Sequence, residues 1–113
     1  MKIITMNKIE GKTITQYDSN LIMRKILMTD KPAHVVIMQL DEGGIVGYHE
    51  ATVPHILLVI EGEGWVRTGT DPKVRIAVGD AVIWEKGEGH ETSSEKGLTA
   101  IVIESEGVEI SSF

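Results

Sequence analysis

The side chains with chemistry to offer are four histidines, His34, His49, His55 and His90, in a chain of 113 residues with no cysteine. Without a thiolate there is no disulfide framework, no iron–sulfur cluster, no thiolate zinc site and no nucleophilic thiol. Any metal ion held here takes imidazole nitrogen or oxygen ligands. Three of the histidines fall in two glycine-punctuated regions, 43–62 and 79–94. The first runs Gly43, five residues, His49, one residue, Ala51, three residues, His55, six residues, Gly62. After sixteen residues the second runs Gly79, five residues, Glu85, one residue, Gly87, two residues, His90, three residues, Ser94. His34 lies outside both, on an apolar stretch, and is expected to be a hydrogen-bonded core or interface histidine.

Carboxylates surround the histidines. Strand alternation sends Glu50 to the face opposite His49, so it is expected to be a solvated or interface charge. Glu85, Glu88 and Glu91 crowd the turn around His90. They are expected to be exposed turn charges, with two other roles open: accepting an imidazole N–H, or acting as a base near a pocket mouth. Tyr48, Trp65, Trp84 and Met38 are candidate pocket-lining residues, with core packing the expectation for the two tryptophans. His49-Glu50 begins like a zincin helix but lacks the second histidine at position 53. There is no Walker loop and no G-x-S-x-G elbow. Gly62-Glu63-Gly64 is expected to be a hairpin turn, since no helix follows to make it a dinucleotide fingerprint.

The elements that must position these residues are strands. Apolar, Val- and Ile-rich segments occupy 21–28, 33–40, 55–61, 64–68, 74–78, 81–85, 98–104 and 108–110, separated by Gly, Asp, Pro or Lys. β-branched runs at intervals of roughly 8–12 residues point to an all-β sandwich or barrel. No sustained i, i+3, i+4, i+7 repeat appears, so no substantial helix is expected. With no linker, low-complexity stretch or duplicated half, 1–113 reads as a single domain. Residues 34–38 and 56–60 are apolar at both parities. Such strands are covered on both faces, which predicts two stacked sheets and an oligomer contact. A homodimer formed through the N-terminal strands is the expectation.

Eleven Lys and Arg against seventeen Asp and Glu give a net charge of −6. This argues against nucleic acid or an anionic membrane as partner, because both reward clustered basic residues. Apolar runs are far too short for a membrane-spanning helix. The first residues show no extended apolar stretch or cleavage site, so a cytoplasmic protein is expected.

The paired spacing resembles the two signature motifs of the cupin family. The four spacing glycines, His49 and His90 match. Ala51 stands where the family has a second histidine, His55 where it has a glutamate, and Glu85 and Ser94 where it has proline and asparagine. The resemblance covers a little under half of the chain directly. It implies an all-β fold, a cupin-type antiparallel β-barrel (double-stranded β-helix, or jelly roll), of the small single-domain type.

Within such a barrel, His49, His55 and His90 come from neighbouring strands and converge. Three imidazoles with a vacant position are the donor set of a catalytic rather than a structural metal. The other reading is three satisfied barrel histidines with no metal. Three neutral imidazoles balance none of a dication's charge, which favours an anionic ligand and shifts preference from manganese toward iron, zinc, nickel or copper. The function expected is metal-dependent chemistry of oxygenase (dioxygenase) or isomerase type on a small anionic metabolite. Two alternatives stand beside it, a non-catalytic small-ligand-binding or sensor barrel and a hydrolytic zinc site. The resemblance fixes the fold more firmly than the activity, since one barrel hosts many chemistries.

Overall fold

The structure is a computed structural model describing residues 1–113. Ten strands follow in order: β1 (Lys2–Thr5), β2 (Lys12–Ile14), β3 (Leu21–Met23), β4 (His34–Leu40), β5 (Ile45–Glu50), β6 (His55–Thr68), β7 (Val74–Ala77), β8 (Asp80–Trp84), β9 (Gly89–Ser93) and β10 (Leu98–Glu104). The only helical pieces are three-residue 3₁₀ turns. No helix is long and apolar enough to cross a membrane.

All strand pairings are antiparallel. One wall runs β1-β8-β6-β10-β4, and β5, β9 and β7 join through the far half of β6. The small β2–β3 ribbon stands apart.

β6 ties the two walls together, and it corrects one expectation. Gly62-Glu63-Gly64 is not a hairpin turn. Residues 55–68 form one continuous strand of 14 residues. Its first half pairs with β8 and β10, and its second half with β7 and β9. The register against β10 slips where Thr99 faces Glu61 and Ala100 faces Val59. The slip leaves Ile60 unpaired against β10, which is how a bulge bends a strand from one wall into the next. Gly62 sits beside this slip with φ +79°, and a Cβ there would lie 2.2 Å from the Gly97 carbonyl oxygen. Only glycine fits so close a backbone approach.

Register also explains the strands that are apolar at both parities. On the inner face of the first wall, Val36, Val102, Leu57 and Val82 lie side by side across β4, β10, β6 and β8. They pack with Val66 and Ile76 of the second wall into the main core. On the outer face, Ile56, Ala81 and Ile83 form a second core with Val108, covered by Ile26, Leu27, Ile110 and Phe113. The chain therefore supplies its own cover over β6 and β8. β4 differs, because Val35 and Ile37 on its outer face are 60% and 71% exposed.

Other expectations shift at the ends of segments. The strand expected over 21–28 stops at Met23, and residues 24–28 run on without regular structure. In the segment expected over 108–110, Val108 and Glu109 have no regular structure and Ile110 opens a 3₁₀ turn. β5 and β9, which carry His49 and His90, are too short and polar to stand out as apolar runs.

Candidate functional site

Strand register assembles the site two residues at a time. His49 of β5 lies opposite His90 of β9, and His55 of β6 lies opposite Trp84 of β8. The walls then bring the pairs together. Ring centroids are 4.4 Å apart for His49 and His90 and 4.8 Å for His55 and His90. The Trp84 indole stacks on His90 at 4.5 Å and meets His55 at 5.1 Å. A cavity of about 100 Å³ opens here, walled by these four rings and by Leu57, Val102, Met38, Val46, Thr92 and Glu104.

β5 needs an irregularity to aim His49 inward. Val46 and His49 are three apart and would face opposite ways on a regular strand. The register against β9 shifts between them, and both line the cavity. His55 and His90 are buried, whereas His49 is exposed at the cavity rim.

The three imidazoles share one local device. Each Nδ1 meets the backbone carbonyl two residues earlier: His49 that of Gly47 at 2.7 Å, His55 that of Val53 at 3.3 Å, His90 that of Glu88 at 3.2 Å. An Nδ1–H donated to a carbonyl leaves Nε2 unprotonated with its lone pair free. Burial pushes the His55 and His90 pKa values down, so both rings are held neutral. The backbone carbonyls of Val53 and Glu88, and nearby carboxylate charge, oppose this only in part.

The donor set suits a divalent transition metal in kind: neutral imidazoles, oriented through Nδ1, with Nε2 vacant. As the side chains stand, however, no three His, Asp or Glu residues converge on one metal position.

The glutamates singled out from sequence are engaged elsewhere or point away. The Glu88 carboxylate is bound by the Met1 nitrogen and the Glu85 amide. Glu91 forms a two-pronged pair with Arg67, both contacts 3.1 Å, and the guanidinium lies over Tyr48. Glu50 and Glu85 are exposed. A carbonyl, not a carboxylate, holds the His90 N–H. Tyr48 lies outside the cavity, packed against Gly89 and Arg67. Trp65 lies near Lys73, away from the histidines. Ser94 braces the backbone, donating to the Glu63 carbonyl and accepting from the Gly97 amide. His34 is not a core residue. It is exposed, and its side chain makes no hydrogen bond.

Sequence reading missed Glu104. Leu98, Ala100 and Val102 of β10 are buried on one face, and Glu104 is the next residue of that parity. Strand alternation carried one step further would have found it.

No protein-family model matches the sequence, and no curated protein matches it. Solved structures match the fold. A cupin superfamily protein from Desulfitobacterium hafniense superposes with TM-score 0.61 at 15% identity, over 70% of this chain and 71% of its own. A cupin-like protein from Thermotoga maritima gives TM-score 0.63 at 21% identity, over 66% and 57%. The chain has the cupin fold. A third match is the DMSP lyase DddQ from Ruegeria pomeroyi, with TM-score 0.62 at 21% identity. It is covered over 41% of its length by 72% of this chain. All four spacing glycines of the cupin motifs adopt positive φ, between +73° and +92°. The motif spacing thus marks four left-handed turns that few residues other than glycine tolerate.

Proposed function

We propose that this cupin holds a divalent transition metal (iron, zinc, nickel or copper) through His49, His55 and His90, and uses it on a small anionic metabolite in oxygenase- or isomerase-type chemistry. The observation that carries the reading is the shared Nδ1-to-carbonyl contact, which leaves three Nε2 lone pairs free beside one cavity. Charge supports it as well. The cavity lining has one carboxylate and no Lys or Arg. A cation is what these acceptors lack, and an anionic ligand gains an attractive partner only once a dication is present. A bound metal would supply Lewis acidity toward substrate oxygen or sulfur. The protein's own part is to orient the imidazoles, hold them neutral, and shield the cavity with Leu57, Val102 and Met38. The DMSP lyase among the matching structures supports a catalytic use of the barrel.

A specific observation favours a second reading, a non-catalytic ligand-binding or sensor barrel. Glu88 and Glu91 are already engaged with Met1 and Arg67, so neither is free as a base. Metal analysis of the purified protein beside His55→Ala tests the first reading. One equivalent of metal per chain, lost in the variant, supports it. Wild-type protein that carries no metal and gains none on addition overturns it. Oxygen consumption with thiols or diketones separates catalysis from binding.

We also propose a homodimer. Val35 and Ile37 lie on β4, the edge strand of the first wall, and form an apolar surface that the chain leaves uncovered. Leu21, Ile22 and Met23 of the β2–β3 ribbon are likewise exposed. A second copy burying these side chains would remove both from water.

A further inference from the structure

The inner face of the first wall is built in rungs. One rung reads Met38, Ala100, Val59 across β4, β10 and β6, and the next reads Val36, Val102, Leu57, Val82. The following rung changes character: His34, Glu104, His55, Trp84. Glu104 is thus the direct cross-strand neighbour of His55, with Cβ atoms about 4.5–5.5 Å apart in such a pair. It lines the cavity with the three imidazoles. It also lines a larger cavity of about 430 Å³ on the outside, beside Lys31, His34, Val53 and Glu106. Glu104 therefore stands in the partition between the inner cavity and the surface.

Glu104 is half-buried as a residue, and its carboxylate has neither a hydrogen-bond donor nor a cation within ion-pair distance. Lys31, though it lines the outer cavity too, makes no pair with it. An unpaired carboxylate beside a cavity has no partner to give up when a cation arrives there. Glu104 is also the only charged side chain on the inner cavity.

We propose that Glu104 is the charge-balancing carboxylate of this site, facing a dication held by His49, His55 and His90 and competing with exogenous anions for it. The inference rests on the metal reading above. Three neutral imidazoles leave a dication's charge uncompensated, and Glu104 supplies one negative charge from the strand next to His55. It makes the site selective toward ligands able to displace or bypass a carboxylate at the cavity wall.

The test uses the full chain with zinc(II) in calorimetric titration, and with cobalt(II) titrated with azide in visible absorption. Glu104→Gln is expected to lower zinc affinity ten- to a hundredfold, the range seen when a metal ligand's supporting carboxylate is lost, and to tighten azide binding. Glu104→Asp, which keeps the charge, should retain zinc affinity well above that of Glu104→Gln and guards against a folding defect in the first variant. Glu106→Gln removes the same charge two residues away and should change neither affinity. Equal zinc and azide affinities in wild type and Glu104→Gln overturn the proposal and leave the three-histidine reading standing. The same loss in Glu106→Gln also overturns it, because chain charge alone would then account for the effect. Wild-type protein that binds neither metal overturns both.

Discussion

The His90 imidazole stacks on the Trp84 indole, ring centroids 4.5 Å apart and planes 30° from parallel. Trp84 is fully buried, and its Nε1 is the one buried side-chain polar atom with no hydrogen-bond partner. A buried donor left unpaired costs roughly 1–3 kcal/mol. That cost is carried at the one place where a ring from the first wall meets histidines of both walls.

This stacking makes Trp84 a reporter of the site. Copper(II) bound through His90 would lie within contact-quenching range of the indole, whereas Trp65 lies near Lys73, away from the histidines. Copper is therefore expected to quench the emission of wild type and Trp65→Phe, and to have little effect on Trp84→Phe. Quenching retained in Trp84→Phe would place the copper elsewhere.

Acid should destabilise the metal-free protein. Burial lowers the pKa values of His55 and His90 in the folded state below the ordinary 6.5. As pH falls through 6.5, the unfolded chain takes up protons first, so folding loses free energy. The stability is present above 6.5, declines below it, and levels off once pH passes the folded-state values. Urea midpoints of metal-free protein between neutral and mildly acidic pH should fall accordingly. Replacing His55 and His90 together with Gln should flatten that part of the profile.

Gly62→Ala should be strongly destabilising. The substitution puts a Cβ 2.2 Å from the Gly97 carbonyl oxygen at a residue with φ +79°. Left-handed backbone alone costs roughly 1–2 kcal/mol in a non-glycine residue, and relieving the clash must move β6 or the loop before β10. Gly43→Ala, with φ +73° and nothing within 4 Å, should show the conformational cost alone. Denaturant titration of the two variants separates the terms.

Ile37→Asp should shift the oligomeric state. Ile37 is 71% exposed in the single chain, so the charge has little cost to the monomer's fold. Light scattering coupled to size exclusion should show wild type as a dimer and the variant as a monomer with an unchanged melting temperature. A monomeric wild type would refute the dimer.

Much of the site was legible because cupin-type spacing is a backbone signal. Gly43, Gly62, Gly79 and Gly87 are spaced by turns that need positive φ, and those turns set where His49 and His90 fall. Ala51 was legible as a residue but not as a position. It lies past the end of β5, buried, its amide bonded to the Glu88 carbonyl and its carbonyl to the Gly87 amide. The glutamates around His90 were beyond sequence reading, because proximity along the chain does not say which cation or amide a carboxylate will meet. Glu91 meets Arg67, twenty-four positions away, and Glu88 meets Met1, eighty-seven away.

The sequence by itself determined the strand-rich class, the glycine turns and which imidazoles were available as donors. These follow from local preferences of side chain and backbone, which each stretch of chain carries with it. Only the tertiary structure decided that 55–68 is one strand shared by two walls, that a slip in β5 turns His49 inward, and that Glu104 stands beside His55. Register is a relation between strands distant in sequence. It is set by which apolar rungs pack together in the core, and a polar rung at the end of that stack takes its neighbours from the packing.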